Sequence, residues 1–201
     1  MRTVDPDRYA ERRRRILAGA ADAFAASGYA KTTVGDLRKA TGVSSGALFH
    51  YFADKAAIFR AIVADDCARV RAELGRIDSA DPRRAFFTAV QVMAGDLVQP
   101  NAAGMAAAVL ERASADPELA AILAELEQVE RDALTGLAEL MRRDGLMDPA
   151  VSPSQAARWT ITVLDGLYLH CDDEDFDAQD EIRFLVESLA RTFRITPSAS
   201  A

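Results

Sequence analysis

TTVGDLRKATGVSSGALFHYFAD, residues 32–54, divides into a helix, a tight turn and a second helix. Thr33 is a residue type that caps helix N-termini, and Val34, Leu37 and Thr41 follow on one face, which predicts a short helix ending near Thr41. Gly42 can take the left-handed conformation that turns the chain, Val43 is an apolar wedge between the two helices, and Ser44 caps the next one. In that second helix Leu48 and Phe52 fall four apart and point inward, so Ser45, Gly46, Ala47, Phe49, His50 and Tyr51 lie toward the open side or its edges. Small residues come first and ring-bearing residues later. Such an order suits a helix whose N-terminal end enters the major groove, where bulk is penalised and the Ser44 and Ser45 hydroxyls can meet base edges. Rings further along can lie against sugars and thymine methyls. The stretch therefore predicts a helix-turn-helix that binds double-stranded DNA.

Gly42-Val43-Ser44-Ser45-Gly46 also satisfies G-x-S-x-G, the nucleophile elbow of serine hydrolases. That motif works when a strand delivers the serine onto a strained turn at the top of a sheet. Here a helix precedes it, His50 and His170 are the only histidines, and no β-rich segment exists to build a sheet. A serine hydrolase stands only as an alternative, and the chain is read as a non-enzyme.

Composition agrees with an all-α protein, because half of the 201 residues are hydrophobic and alanine and leucine dominate over β-branched runs. The net charge of −7 is unevenly distributed. Residues 1–55 carry ten Lys or Arg against six Asp or Glu, whereas the remainder carries fourteen against twenty-five. A basic head on an acidic body can still bind phosphate with the head. Cys67 and Cys171 lack metal-ligand or disulfide-framework spacing and read as buried thiols in a reducing compartment. No apolar run is long enough for a membrane span and no signal sequence opens the chain, so a cytoplasmic protein without metal or cofactor is expected.

Met1–Asp7 reads as a frayed arm, followed from about Arg8 by a helix with Ile16, Ala20, Ala23 and Phe24 on one stripe and Gly28 at its end. Arg12-Arg13-Arg14-Arg15 wraps that helix, so only one or two of the four can face a phosphate. A fourth helix runs from Asp54 to about Gly75, burying Ile58, Phe59, Ile62, Val63 and Val70. Further helices are expected after Pro82, over Met105–Ala115, from Pro117 to about Arg143, from a Ser154 cap to His170, and from an Asp177 cap onward. The total is nine. Asp172–Asp177 lacks the glycine and glutamate of a calcium loop and reads as solvated.

From about Arg12 to Ala61 the chain resembles the DNA-binding domain of the TetR-type bacterial transcription regulators. The resemblance is carried by a first helix ending in FAASGYAKTTV, by the turn GVSSGALFHYF, and by Asp54-Lys55 leading into the long fourth helix. It implies that Lys55 anchors the DNA backbone and that Thr33 meets a phosphate at the start of helix two. Two positions depart from the pattern. Phe49 stands where tyrosine is usual, losing a hydroxyl contact, and Arg38 stands where a small residue usually packs helix two on helix three. Phe49 and the acidic body are the only support for a second alternative, a helical adaptor without operator specificity.

The resemblance further implies residues 1–53 as the DNA-binding domain, 54–196 as a helical ligand-binding and dimerisation domain, and 197–201 as a disordered tail. Such a protein is a homodimer that binds a palindromic operator as a repressor and releases it when a small-molecule effector enters the body. Candidate pocket residues are Phe86, Phe87, Met93, Leu97, Met105, Leu110, Leu126, Trp159 and Leu164. The last two helices would pair with their symmetry mates through Leu164, Leu167, Tyr168, Ile182, Leu185, Val186, Leu189 and Phe193.

Overall fold

A computed structural model describes residues 6–196, which form nine α-helices and one 3₁₀ turn, with no strand among the described residues. The helices are α1 (Pro6–Ser27), α2 (Val34–Thr41), α3 (Ser45–Tyr51), α4 (Lys55–Leu74), α5 (Pro82–Met93), α6 (Ala102–Ala113), α7 (Pro117–Arg143), α8 (Pro153–His170) and α9 (Ala178–Thr192), with the 3₁₀ turn at Gly95–Val98 after α5. The tail expected at 197–201 and the first five residues of the expected arm lie outside the described residues.

Three of the later helices start in one way, with a capping side chain followed by proline. Asp81 accepts from Arg84 N at 3.0 Å, Asp116 from Leu119 N at 3.2 Å and Ser152 from Gln155 N at 3.2 Å, each just before Pro82, Pro117 or Pro153. Proline fits the first helical position because its φ is already helical and its missing N–H would have had no partner. The structure corrects two expected boundaries. Ser152, not Ser154, caps α8, and α1 begins at Pro6 rather than Arg8. Helix α6 also starts earlier than expected, at Ala102.

The chain forms two compact units. The first comprises the described residues up to Asp66 together with Ala103–Ile122, and the second comprises Cys67–Ala102 and the chain from Leu123 onward. In the first unit Phe24 is fully buried, set edge-on to Phe59 at 5.0 Å and stacked on Tyr29 at 5.7 Å. Helix α6 presses against α1 so closely that a Cβ on Gly104 would stand 2.1 Å from the carbonyl oxygen of Ala25. Only glycine permits that approach.

Asp116, 3% exposed, closes the corner between α6 and α7. Beyond capping α7, it accepts from Arg60 at 2.9 Å and from Arg112 at 3.1 Å. Burial raises its pKa, but the Leu119 N–H and the two guanidinium groups outweigh this and hold the carboxyl below its usual range.

The second unit is built on an apolar core. Phe86, Val90 and Met93 of α5 meet Leu134 and Met141 of α7, Ile161 and Leu164 of α8, and Leu185 and Leu189 of α9. Phe193 lies edge-on to Phe86 at 6.4 Å. The C-terminal end is tied down by backbone bonds from Asp148 N to Phe193 O at 2.9 Å and from Thr196 N to Leu146 O at 3.0 Å. Cys67 is buried and Cys171 half-buried. No helix among the described residues is long and apolar enough to cross a membrane.

Candidate nucleic-acid interface

The helix-turn-helix is assembled almost entirely by local bonds. Thr33 caps α2 by accepting from Asp36 N at 3.2 Å, and the Asp36 carboxylate accepts in return from Thr33 N at 2.9 Å and from the Thr33 hydroxyl at 2.7 Å. Hydrogen bonds from the Thr33 side chain, then from its backbone, lower the pKa of Asp36. Gly42 ends α2 at φ 66°, its N–H donating to Arg38 O at 3.0 Å, and Val43 behind it is buried. Ser44 caps α3 by accepting from Ala47 N at 3.2 Å. Leu48 and Phe52 turn into the core as expected.

The outward side of α3 carries the expected sequence of groups. Ser44, Gly46, Phe49 and His50 are exposed, while Ser45, Ala47 and Tyr51 are half-exposed. A Cβ built on Gly46 meets nothing within 4 Å, so the start of the helix presents backbone and small side chains to the outside. Phe49 is 45% exposed and has no polar atom on its ring. Arg38 is exposed.

Two candidate phosphate contacts have partners inside the chain. Both Thr33 donors go to Asp36, so a phosphate there would have to displace a carboxylate. The Lys55 ammonium donates to Tyr29 O at 2.9 Å and Thr32 O at 3.0 Å, with Ala30 O at 3.4 Å, and stands 4.4 Å from the centre of the Tyr29 ring. An ammonium has three donors, and here each faces a carbonyl of the loop before α2. In this structure Lys55 therefore holds the loop before α2.

Tyr9 of α1 was not singled out from the sequence. Its ring lies 4.5 Å from that of Tyr51 and 6.4 Å from that of His50, and His50 meets Tyr51 edge-on at 5.4 Å. The signal was present, since Tyr9, Arg13, Ile16 and Ala20 share one helical face. Of the four arginines Arg13 is drawn inward, paired with Asp65 of α4 at 3.0 Å and placed over Phe52 at 5.6 Å. Arg14 and Arg15 pair with Glu11.

The nine residues expected to line a pocket are distributed over both units. Phe86, Met93, Leu97 and Leu164 are packed in the core of the second unit, with Phe87 and Leu126 half-buried against it. Met105 and Leu110 belong to the first unit, and Leu110 and Trp159 are 57% and 54% exposed. The second unit holds a cleft of about 430 Å³, lined by Arg69, Glu73, Thr88, Gln91, Val92, Gly95, Asp96 and Gln99. Arg69 grips Asp96 through two bonds of 2.6 and 2.7 Å and pairs with Glu73 at 3.4 Å.

The expected dimer residues also divide. Leu164, Leu185, Leu189 and Phe193 are buried in the protomer itself, and Leu167, Ile182 and Val186 pack against them. Tyr168, half-buried, donates its hydroxyl to Met93 O at 3.0 Å. The apolar side chains that α8 and α9 leave exposed are different ones: Trp159, Val163 and Leu169 on α8 and Phe184, 62% exposed, on α9.

Residues 16–62 match the family model described as bacterial regulatory proteins, tetR family. An HTH-type transcriptional repressor of Mycobacterium tuberculosis is 47% identical over 38% of this chain and 41% of its own length. The HTH-type transcriptional repressor AcnR of Corynebacterium efficiens is 43% identical over 35% of this chain and 37% of its own. With these relatives the similarity thus spans about two fifths of their length. The AcnR of Corynebacterium jeikeium is 31% identical over 79% of this chain and 80% of its own. Among solved structures, a TetR transcription regulator from Haloarcula marismortui superposes with a TM-score of 0.79 at 15% identity, covering 92% of this chain and 97% of that one. A bacterial regulatory protein of the tetR family from Rhodococcus does so with 0.76 at 21%, covering 92% and 98%. These last two similarities establish the fold. With relatives that are named repressors, and with GVSSG lying between two helices, the serine-hydrolase alternative falls.

Proposed function

This chain belongs to the tetR family of bacterial regulatory proteins, and on that footing we propose that it is a transcriptional repressor that binds a palindromic operator as a homodimer and releases it when a small molecule occupies its body. The observation that carries the reading is the outward side of α3, where an unobstructed N-terminal end precedes exposed Phe49 and His50. Ser44, Ser45, Gly46 and Ala47 would approach base edges, and Phe49, His50 and Tyr51 the sugars and thymine methyls. Thr33 would meet a phosphate in exchange for Asp36. Lys55 would act through the loop it holds.

Two heads must stand about 34–36 Å apart to read successive major grooves, which is the geometric reason for a dimer. Exposed Trp159, Val163, Leu169 and Phe184 on the last two helices support pairing there. The cleft around Arg69 and Asp96 is the place to look for an effector. Binding would shift the population toward a state in which helix α4 no longer holds the heads in register.

The experiment is binding of the purified protein to DNA immediately upstream of its own gene, at several salt concentrations, beside a scrambled fragment of equal length. An operator affinity about three orders of magnitude above the scramble, falling steeply with salt, is expected. Equal binding to the scramble and to every fragment recovered by genomic selection overturns the repressor reading.

A further inference from the structure

Helix α6 lies outside the family-model match, yet one of its side chains reaches the loop that leads into α2. The Glu111 carboxylate accepts from Tyr29 N at 3.0 Å and from Ala30 N at 3.3 Å. From the opposite side Lys55 holds the carbonyls of Tyr29 and Thr32. The Tyr29 and Ala30 N–H groups thus answer to α6, and the Tyr29 and Thr32 C=O groups to α4. Tyr29 sits at the centre, with the Lys55 ammonium 4.4 Å and the Arg112 guanidinium 4.8 Å from its ring, stacked on Phe24 and edge-on to Phe59 at 5.1 Å. The Thr32 hydroxyl donates to Gly28 O at 2.7 Å and closes the loop on itself. Thr33, the cap of α2, follows directly.

We propose that Glu111 is a positioning residue for operator binding, acting through loop 28–32 on the start of α2. This rests on the repressor reading above. Charge-assisted bonds to two successive backbone N–H groups fix the direction of a loop as well as its position, because both peptide planes must face one carboxylate. Two features seat Glu111 independently of the loop. Gly104 lets α6 meet the α1 backbone without a gap, and Asp116 joins Arg112, the neighbour of Glu111, to Arg60 of α4. No part of this clamp requires Glu111 to touch DNA.

A carboxylate near a phosphate-binding surface also repels DNA, and the two roles have opposite signs. If Glu111 acts only by its charge, Glu111→Ala binds both operator and scramble more tightly. If it positions the loop, Glu111→Ala binds the operator about tenfold more weakly, the scale of one lost charge-assisted bond, while binding to the scramble holds or rises. Glu111→Gln retains an acceptor oxygen and recovers part of the operator affinity. Amide exchange at Tyr29 and Ala30 in the full-length protein quickens in Glu111→Ala.

Operator affinity of Glu111→Ala equal to or above wild type, with those amides still protected, overturns the proposal. Parallel losses on operator and scramble overturn it as well, because they mark general unfolding of the head. If wild type itself fails to discriminate operator from scramble, the repressor reading fails first and this inference falls with it.

Discussion

The two compact units place their directional ties differently. The first gathers them around one loop and one corner: Lys55 to the carbonyls of loop 28–32, Glu111 to two of its N–H groups, and Asp116 to Arg60 and Arg112, with Arg13 paired to Asp65. The second spreads them around an apolar core running from α5 to α9: Arg69 to Asp96, Arg71 to Glu125, Arg194 to Asp148, and Tyr168 to Met93 O. Hydrogen bonds and ion pairs fix angles, whereas apolar burial fixes volume.

The largest expected break is in the body. Phe86→Ala removes a fully buried ring from that core and should cost about 3–5 kcal/mol. Urea unfolding followed by the fluorescence of Trp159, the one tryptophan in the chain, reads it directly. A loss below about 1 kcal/mol would mean that the core collapses into the space, and that volume is not fixed there after all.

Next comes Gly104→Ala in the first unit. Helix propensity alone favours the alanine by about 1 kcal/mol. Its methyl, however, would meet the Ala25 carbonyl, and overpacking of this kind costs about 1–3 kcal/mol. Thermal unfolding should show a net loss, and a raised melting temperature would show that α6 can stand away from α1 in solution.

The smallest effect is the most discriminating, because the two units should answer to pH with opposite signs. Asp116 has a pKa below its usual 3.8, so its contribution to the first unit is complete above that value and is lost as pH falls toward the lowered one. Glu130 of α7 is pushed the other way, up to about 7 from 4.5, by burial first and then by Asp165 and Glu127. Its folded form holds the proton more tightly, so its contribution to the second unit is complete below 4.5 and is lost as pH rises to about 7. Glu130→Gln should flatten the fluorescence-monitored stability of the body between pH 5 and about 7.5. A wild-type profile flat over the same range would remove the burial of Glu130 from the argument.

What the sequence made legible follows the range of each interaction. Thr33, Gly42, Val43, Ser44, Leu48 and Phe52 were readable because cap, turn and inward face are set by residues within about one helical turn. The true partners of Lys55 and Glu111 were hidden, since their bonds cross 26 and 82 residues to a loop with no motif of its own. In the body, apolar periodicity marks the face turned to the core. It therefore named Leu185, Leu189 and Phe193, which the core of the chain itself buries, and passed over exposed Phe184 and Val163. A wall of a cavity and a packed core are written in the same residues, and the cleft around Arg69 and Asp96 is written in polar ones that periodicity does not weigh.

The first unit is assembled from two separate pieces of chain, the second of them Ala103–Ile122. Anyone building a hybrid sensor by joining this protein's reader to a foreign receiver would cut at a convenient loop after α3 and discard Lys55, Arg60, Glu111 and Asp116 together. The graft that keeps the reader intact has to carry both pieces, and the receiver has to be spliced in between them and after them.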